Sequence, residues 1–133
     1  MTRYVISPDV ALRLAQEDTV MPDEHELLAP TLLRSQLLSM LYRAVRQGEM
    51  TREDADLYLG YVRGLRIRLL GDRVLQHVAW KVADQLGWPD TFDAEYIALT
   101  QLQADAFITL DEDLASAVEE VVALAPFGAL AQR

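Results

Sequence analysis

The apolar positions of this chain follow two rhythms, short unbroken runs and stripes spaced by three and four, which alternate along its length. Tyr4-Val5-Ile6 is a run short and β-branched enough for a buried strand. Ser7-Pro8-Asp9 then reads as a helix start: Ser at the cap, Pro in the first turn, and an acid where the helix dipole favours one. A helix is therefore expected from Val10 to Gln16. An acidic loop over 17–26, containing Pro22, leads to a short candidate strand at Leu27-Leu28-Ala29, closed by Pro30. Thr31 is expected to cap a helix from Leu32 to about Gln47, whose Leu33, Leu37, Met40, Leu41 and Ala44 share one stripe. Gly48 is placed to end it in the left-handed conformation.

Thr51-Arg52-Glu53-Asp54 resembles a capping box, with Asp54 in place of the usual Glu or Gln. The helix it opens turns Ala55, Leu59 and Val62 inward and is expected to fray near Gly60 and Gly64. Leu65 to Leu70 sets Leu65, Ile67 and Leu69 against Arg66 and Arg68, the period of a half-buried strand. Asp72 caps a helix to Leu86 with Gly87 at its end, and Thr91 is expected to cap another from Phe92 to about Gln103. Phe107-Ile108-Thr109 reads as a strand, Leu114 to Glu120 as a short helix, and Val121-Val122-Ala123-Leu124 as a last strand. Strands alternating with helices predict an α/β fold with a parallel sheet covered by helices.

Composition narrows the picture. At 133 residues the chain is expected to form one domain over 1–133, and 51% hydrophobic residues supply a core. With no cysteine, disulfides and thiolate metal sites are excluded. The first residues are too sparsely apolar for a signal peptide, and no apolar stretch approaches the roughly 20 residues that cross a bilayer. A soluble, cytoplasmic protein with no membrane contact is expected. Twelve Lys+Arg against 21 Asp+Glu give a net charge of −9, which disfavours a basic RNA-wrapping domain. Lys81 is the only lysine, a bias that the codons of a GC-rich genome explain. No glycine-rich phosphate loop supports a nucleotide-binding domain.

In an open parallel sheet ligands bind beyond the carboxyl ends of the strands. Acids gather at such ends here: Asp9 after the first strand, Asp111 and Asp113 after the strand at 107–109, and Asp93 in the helix just before it. Together such carboxylates suit a hard cation, Mg²⁺ or Mn²⁺. Singly, each is explained as well by helix capping or the helix dipole. Asp9, in a first helical turn, is expected to point away from the strand end, and Asp113 to serve the helix at Leu114.

The segment Thr91-Phe92-Asp93-Ala94-Glu95-Tyr96-Ile97-Ala98-Leu99 resembles one motif of VapC-type PIN domains, and Phe107-Ile108-Thr109-Leu110-Asp111-Glu112-Asp113-Leu114-Ala115 resembles the next. Residues 4–14 resemble the family's opening strand and helix, and 28–39 the approach to its second helix. The resemblance implies a three-layer α/β/α PIN-like fold with a central, mainly parallel sheet. It also implies a Mg²⁺-dependent ribonuclease toxin, often a homodimer and paired with a small antitoxin protein. Four acids build the family's site. Two stand here as Asp93 and Asp111; the other two positions hold Ser7 and Gln36, which carry no charge.

Those replacements predict weakened metal binding and impaired catalysis, because neither Ser7 nor Gln36 can act as an anionic ligand or base. An alternative use follows from their chemistry: as donors, Ser7 and Gln36 are expected to hydrogen-bond to Asp93 or Asp111 and quiet the site without metal. Two functions therefore compete, a VapC-like ribonuclease with altered metal dependence and a non-catalytic PIN-fold protein acting through a partner or its own dimer. The apolar faces of the helices from Leu32 and from Arg52 suit burial in the core or the seating of such a partner. His25 and His77 are expected in ordinary structural roles, and Trp80 and Trp88 as core and turn anchors. Arg43, Arg46, Arg66, Arg68 and Arg73 read as solvated or ion-paired, with a path for RNA as the other use.

Overall fold

The computed structural model of the protein describes residues 1–131. Its elements are β1 (Thr2–Ile6), α1 (Pro8–Gln16), β2 (His25–Pro30), α2 (Leu32–Arg46), α3 (Arg52–Gly64), β3 (Ile67–Leu70), α4 (Arg73–Leu86), α5 (Phe92–Gln103), β4 (Ala106–Ile108) and α6 (Glu112–Val118). A turn of tighter helix over Phe127–Ala131 follows. The four strands are parallel, in the order β3-β2-β1-β4. The chain steps from β1 through β2 to β3 in one direction, then crosses back to β4 on the far side of β1. Because such crossovers are right-handed, the reversal puts α1, α2 and α3 on one face and α4 and α5 on the other. Contacts agree: α1, α2 and α3 pack on each other, while α5 packs on α4 and spans β1, β2 and β4.

β1, β2 and β4 bury their apolar runs on both faces, with Val5, Ile6, Leu28, Phe107 and Ile108 fully enclosed, while β3 is half-buried and leaves Arg68 exposed. A smaller apolar cluster of Leu37, Leu41 and Ala55 joins α2 to α3. Leu33, Leu37 and Leu41 form the buried part of the α2 stripe, with Met40 and Ala44 at its margin. Gly48 and Gly87 take positive φ (76° and 68°) just after their helices, where a Cβ would be strained.

Several local expectations are corrected. The last strand does not form. Val121 and Val122 donate their N–H groups to Val118 O at the end of α6, and a single parallel bridge sets Leu124 beside Phe107, with Phe107 N donating to Ala123 O (2.9 Å) and Ala125 N to Phe107 O (3.1 Å). Pro126 follows at once and prevents extension. The helix before it spans Glu112–Val118 rather than beginning at Leu114, because Asp111 caps it. α3 runs unbroken through Gly60, and Leu65 ends that helix instead of starting β3. The capping box at Thr51 and Asp54 forms as expected. Thr31 and Thr91 make no side-chain cap, since neither backbone is extended as a cap requires. Trp80 is not a core anchor: it is 68% exposed on α4, whereas Trp88 is half-buried against the core. Among the described residues no helix is long and apolar enough to cross a membrane.

Candidate functional site

β1 and β4 are neighbours, so their carboxyl ends lie side by side, tied by a hydrogen bond from Ser7 N to Ile108 O (3.2 Å). Beyond them opens a cleft of about 460 Å³. α1 brings Asp9 to it, α2 brings Gln36 and Arg43, α5 brings Asp93 and Tyr96, and the turn after β4 brings Asp111. Sequence positions spread over more than a hundred residues thus meet where an α/β sheet places its ligand site.

Each acid arrives by a different local device. Asp111 is the N-cap of α6: its Oδ1 accepts from Asp113 N (3.0 Å) and Leu114 N (3.1 Å), while its own N–H donates to Thr109 Oγ1 (3.2 Å). Capping and cleft placement therefore coincide in one residue. Asp93 stands in the first turn of α5 behind Asp90, whose Oδ1 accepts from Phe92 N (3.2 Å); Asp90 does the work expected of Thr91. Asp9 overturns the expectation that it points away. It lines the cleft, its Oδ1 accepting from Val10 N (2.8 Å) and hydrogen-bonded to Ser7 Oγ. Asp113 is exposed on α6, and its side chain is not part of the cleft wall.

The two uncharged positions sit at the site, but not in the bonds expected of them. Ser7, 5% exposed, directs its hydroxyl to Asp9, with Ile108 O 3.3 Å away, and not to Asp93 or Asp111. Gln36 Oε1 accepts from Tyr96 OH (2.6 Å). Tyr96 was absent from the expected site, although its place three residues after Asp93, on the same face of α5, points there. Ser39 and Arg43 likewise follow Gln36 along one face of α2 and reach the cleft. His25 packs its ring edge-on to Tyr4 (5.3 Å) and His77 is exposed; neither lines the cleft.

Electrostatics mark the site as crowded with negative charge. The Asp93 carboxyl is pushed above the usual carboxylate range, first by burial and then by Asp111, Asp90 and Asp9. Burial, with Glu95, Asp93 and Asp9 nearby, also pushes the Tyr96 phenol far up, so it stays a hydrogen-bond donor at any ordinary pH. Among the described residues Arg43 is the only basic one on the cleft wall, and it makes no ion pair with any of them.

The donor set does not fit the four-acid cation site that the resemblance implies. Two of the four positions are neutral, and one lone pair of the Gln36 carbonyl oxygen is taken by Tyr96 OH. Among the described residues no three acidic or histidine side chains come together closely enough to hold a metal ion.

The architecture built here, a parallel sheet between two helical layers with a carboxylate cleft at the strand ends, is a three-layer PIN-like fold. It is similar to PAE2754 from Pyrobaculum aerophilum, with a TM-score of 0.76 and 20% identity, covering 98% of this chain and 93% of that one. It is also similar to VapBC2 from Rickettsia felis, bound there to a DNA fragment from its promoter: TM-score 0.64, 10% identity, 94% of this chain and 98% of that one. No protein-family model matches the sequence, and no curated protein matches it significantly. At these identities the likeness is one of fold.

Proposed function

We infer that this chain is a toxin–antitoxin-type PIN-fold protein that works through a protein partner, its ribonuclease chemistry impaired by the replacements at Ser7 and Gln36. The observation that carries this reading is an apolar groove between α2 and α3. Leu38, Leu41, Tyr42, Val45, Ala55 and Leu59 line it, and Leu38 and Tyr42 are 56% and 63% exposed. It continues toward β3 past Leu37 and Val62. Arg34, Arg46, Arg52 and Arg63 stand along it in a chain whose net charge is −9.

Such a groove suits one amphipathic helix with acidic flanks. Two copies docked there face to face would set arginines against arginines, which favours a different, smaller partner at this face. A homodimer, which the resemblance also implies, would then use another surface. The likeness to VapBC2 supports an antitoxin-like protein as the groove's occupant.

Two measurements test the reading. Co-expression with the product of a small reading frame adjacent to its gene should yield a complex, and Leu38→Glu should release it. In a ribonuclease assay with Mg²⁺ or Mn²⁺ the wild-type protein should cleave weakly or not at all, and Ser7→Asp with Gln36→Glu should raise the rate. Wild-type cleavage abolished by Asp111→Asn would replace this reading with that of a working metal-dependent nuclease.

A further inference from the structure

The mismatch between the fold's implied metal and the residues of this cleft has a specific structural form. On one wall Ser7, almost wholly buried, is hydrogen-bonded to Asp9 Oδ1, the same oxygen that takes Val10 N. On the other, Tyr96 OH donates to Gln36 Oε1 and takes one of that carbonyl's two lone pairs, while the other end of the amide is an N–H donor. An N–H donor faces a cation with its positive end. Asp111 has Oδ1 committed to two backbone N–H groups. The oxygens that remain are not gathered into a three-acid cluster.

We propose that Ser7 and Gln36 have turned the cleft from a divalent-cation site into a closed hydrogen-bonded one, in which Ser7 secures the Asp9 carboxylate to the end of β1 and Tyr96 secures Gln36 to α5. The proposal rests on reading the cleft as the counterpart of the PIN-domain site. It also says what becomes of RNA. A phosphodiester reaches a carboxylate cleft only when a cation neutralises the acids; without one, Asp9, Asp93 and Asp111 outnumber Arg43 and repel it. Ser7 and Gln36 therefore exclude metal and RNA together.

Mn²⁺ titration of the full chain, followed by calorimetry and by the electron spin resonance of free Mn²⁺, tests this directly. The wild-type protein should bind Mn²⁺ no more tightly than about 1 mM, and Ser7→Asp with Gln36→Glu should bind at least about a hundredfold more tightly. Fluorescence anisotropy of a single-stranded RNA should rise only with the double variant and only when Mn²⁺ is present. Wild-type binding tighter than that limit, lost in Asp93→Asn, would overturn the proposal, as would a folded double variant with unchanged affinity. If the double variant does not fold, Gln36→Glu alone should gain about tenfold in Mn²⁺ affinity, and a folded Gln36→Glu without that gain overturns it equally. None of these outcomes involves the groove between α2 and α3. A failure here leaves the partner complex intact, whereas failure of the functional reading is loss of that complex.

Discussion

A carboxyl group partly withdrawn from water and held among other carboxyls binds its proton more tightly in the folded chain than in the unfolded one, and Asp93 is such a group. Its folded pKa is raised, so its ionisation opposes folding at neutral pH. That opposition is relieved as pH falls through the raised pKa, and it vanishes below the ordinary Asp value. Asp93→Asn should therefore raise the melting temperature at pH 7 and change it little near pH 4; an equal gain at both would deny the electrostatic origin. Tyr96 makes the opposite kind of contribution, since its hydroxyl satisfies Gln36 in a partly buried place. Tyr96→Phe should cost about 1 kcal/mol in a denaturant titration, the usual net worth of a hydrogen bond whose acceptor is left behind. Leu41→Ala, which empties a site only 1% exposed, should cost about 2–5 kcal/mol in the same experiment.

At the scale of elements, similar residues perform different work according to the backbone beneath them. Thr51 sits on extended backbone and accepts from Asp54 N (3.1 Å), while Thr31 and Thr91 make no cap. Thr51→Ala should thus cost about 0.5–2 kcal/mol, and Thr91→Ala, judged by the lost cap alone, almost nothing. Thermal melts of the two side by side separate the cases. This contrast also explains what the sequence made legible. Periodicity is set by burial, so the positions of the strands and of the long helices could be read from apolar runs and stripes. Cap geometry is set by one residue's dihedral angles, which composition does not encode, and so Asp90 took over from Thr91. The segment 121–124 has the composition of a strand, but its first residues were drawn into closing α6 and Pro126 cut off the rest. At the cleft, Asp93, Asp111, Ser7 and Gln36 were legible through motif resemblance. Asp9 was misplaced because a first-turn helical position was expected to point away from the strand end, whereas its Oδ1 turns back to Ser7 Oγ and Val10 N at the cleft.

Over the whole molecule, charge is distributed against its own average. The chain is strongly acidic, its cleft is lined by acids, and yet the groove between α2 and α3 is bordered by arginines. Arg34, Arg46 and Arg63 have no ion-pair partner among the described residues, whereas Arg3 on β1 and Arg68 on β3 both meet Glu26 on β2 (3.2 and 3.3 Å). Unpaired arginines beside exposed Leu38 and Tyr42 cost little in the isolated chain, because water solvates them, and they would complement the acidic helix proposed as the groove's occupant. Such an interface combines buried apolar anchors with charges at its rim, and the two parts should separate experimentally. Leu38→Glu should weaken the partner complex by about a hundredfold or more, as loss of a central anchor does, without lowering the melting temperature of the free protein. Arg46→Gln with Arg63→Gln should instead slow association and flatten its dependence on salt, leaving dissociation nearly unchanged. Surface plasmon resonance at two ionic strengths distinguishes these effects. If the arginine pair altered neither rate the partner would sit elsewhere, and if Leu38→Glu unfolded the free chain the groove would belong to the protein's own core.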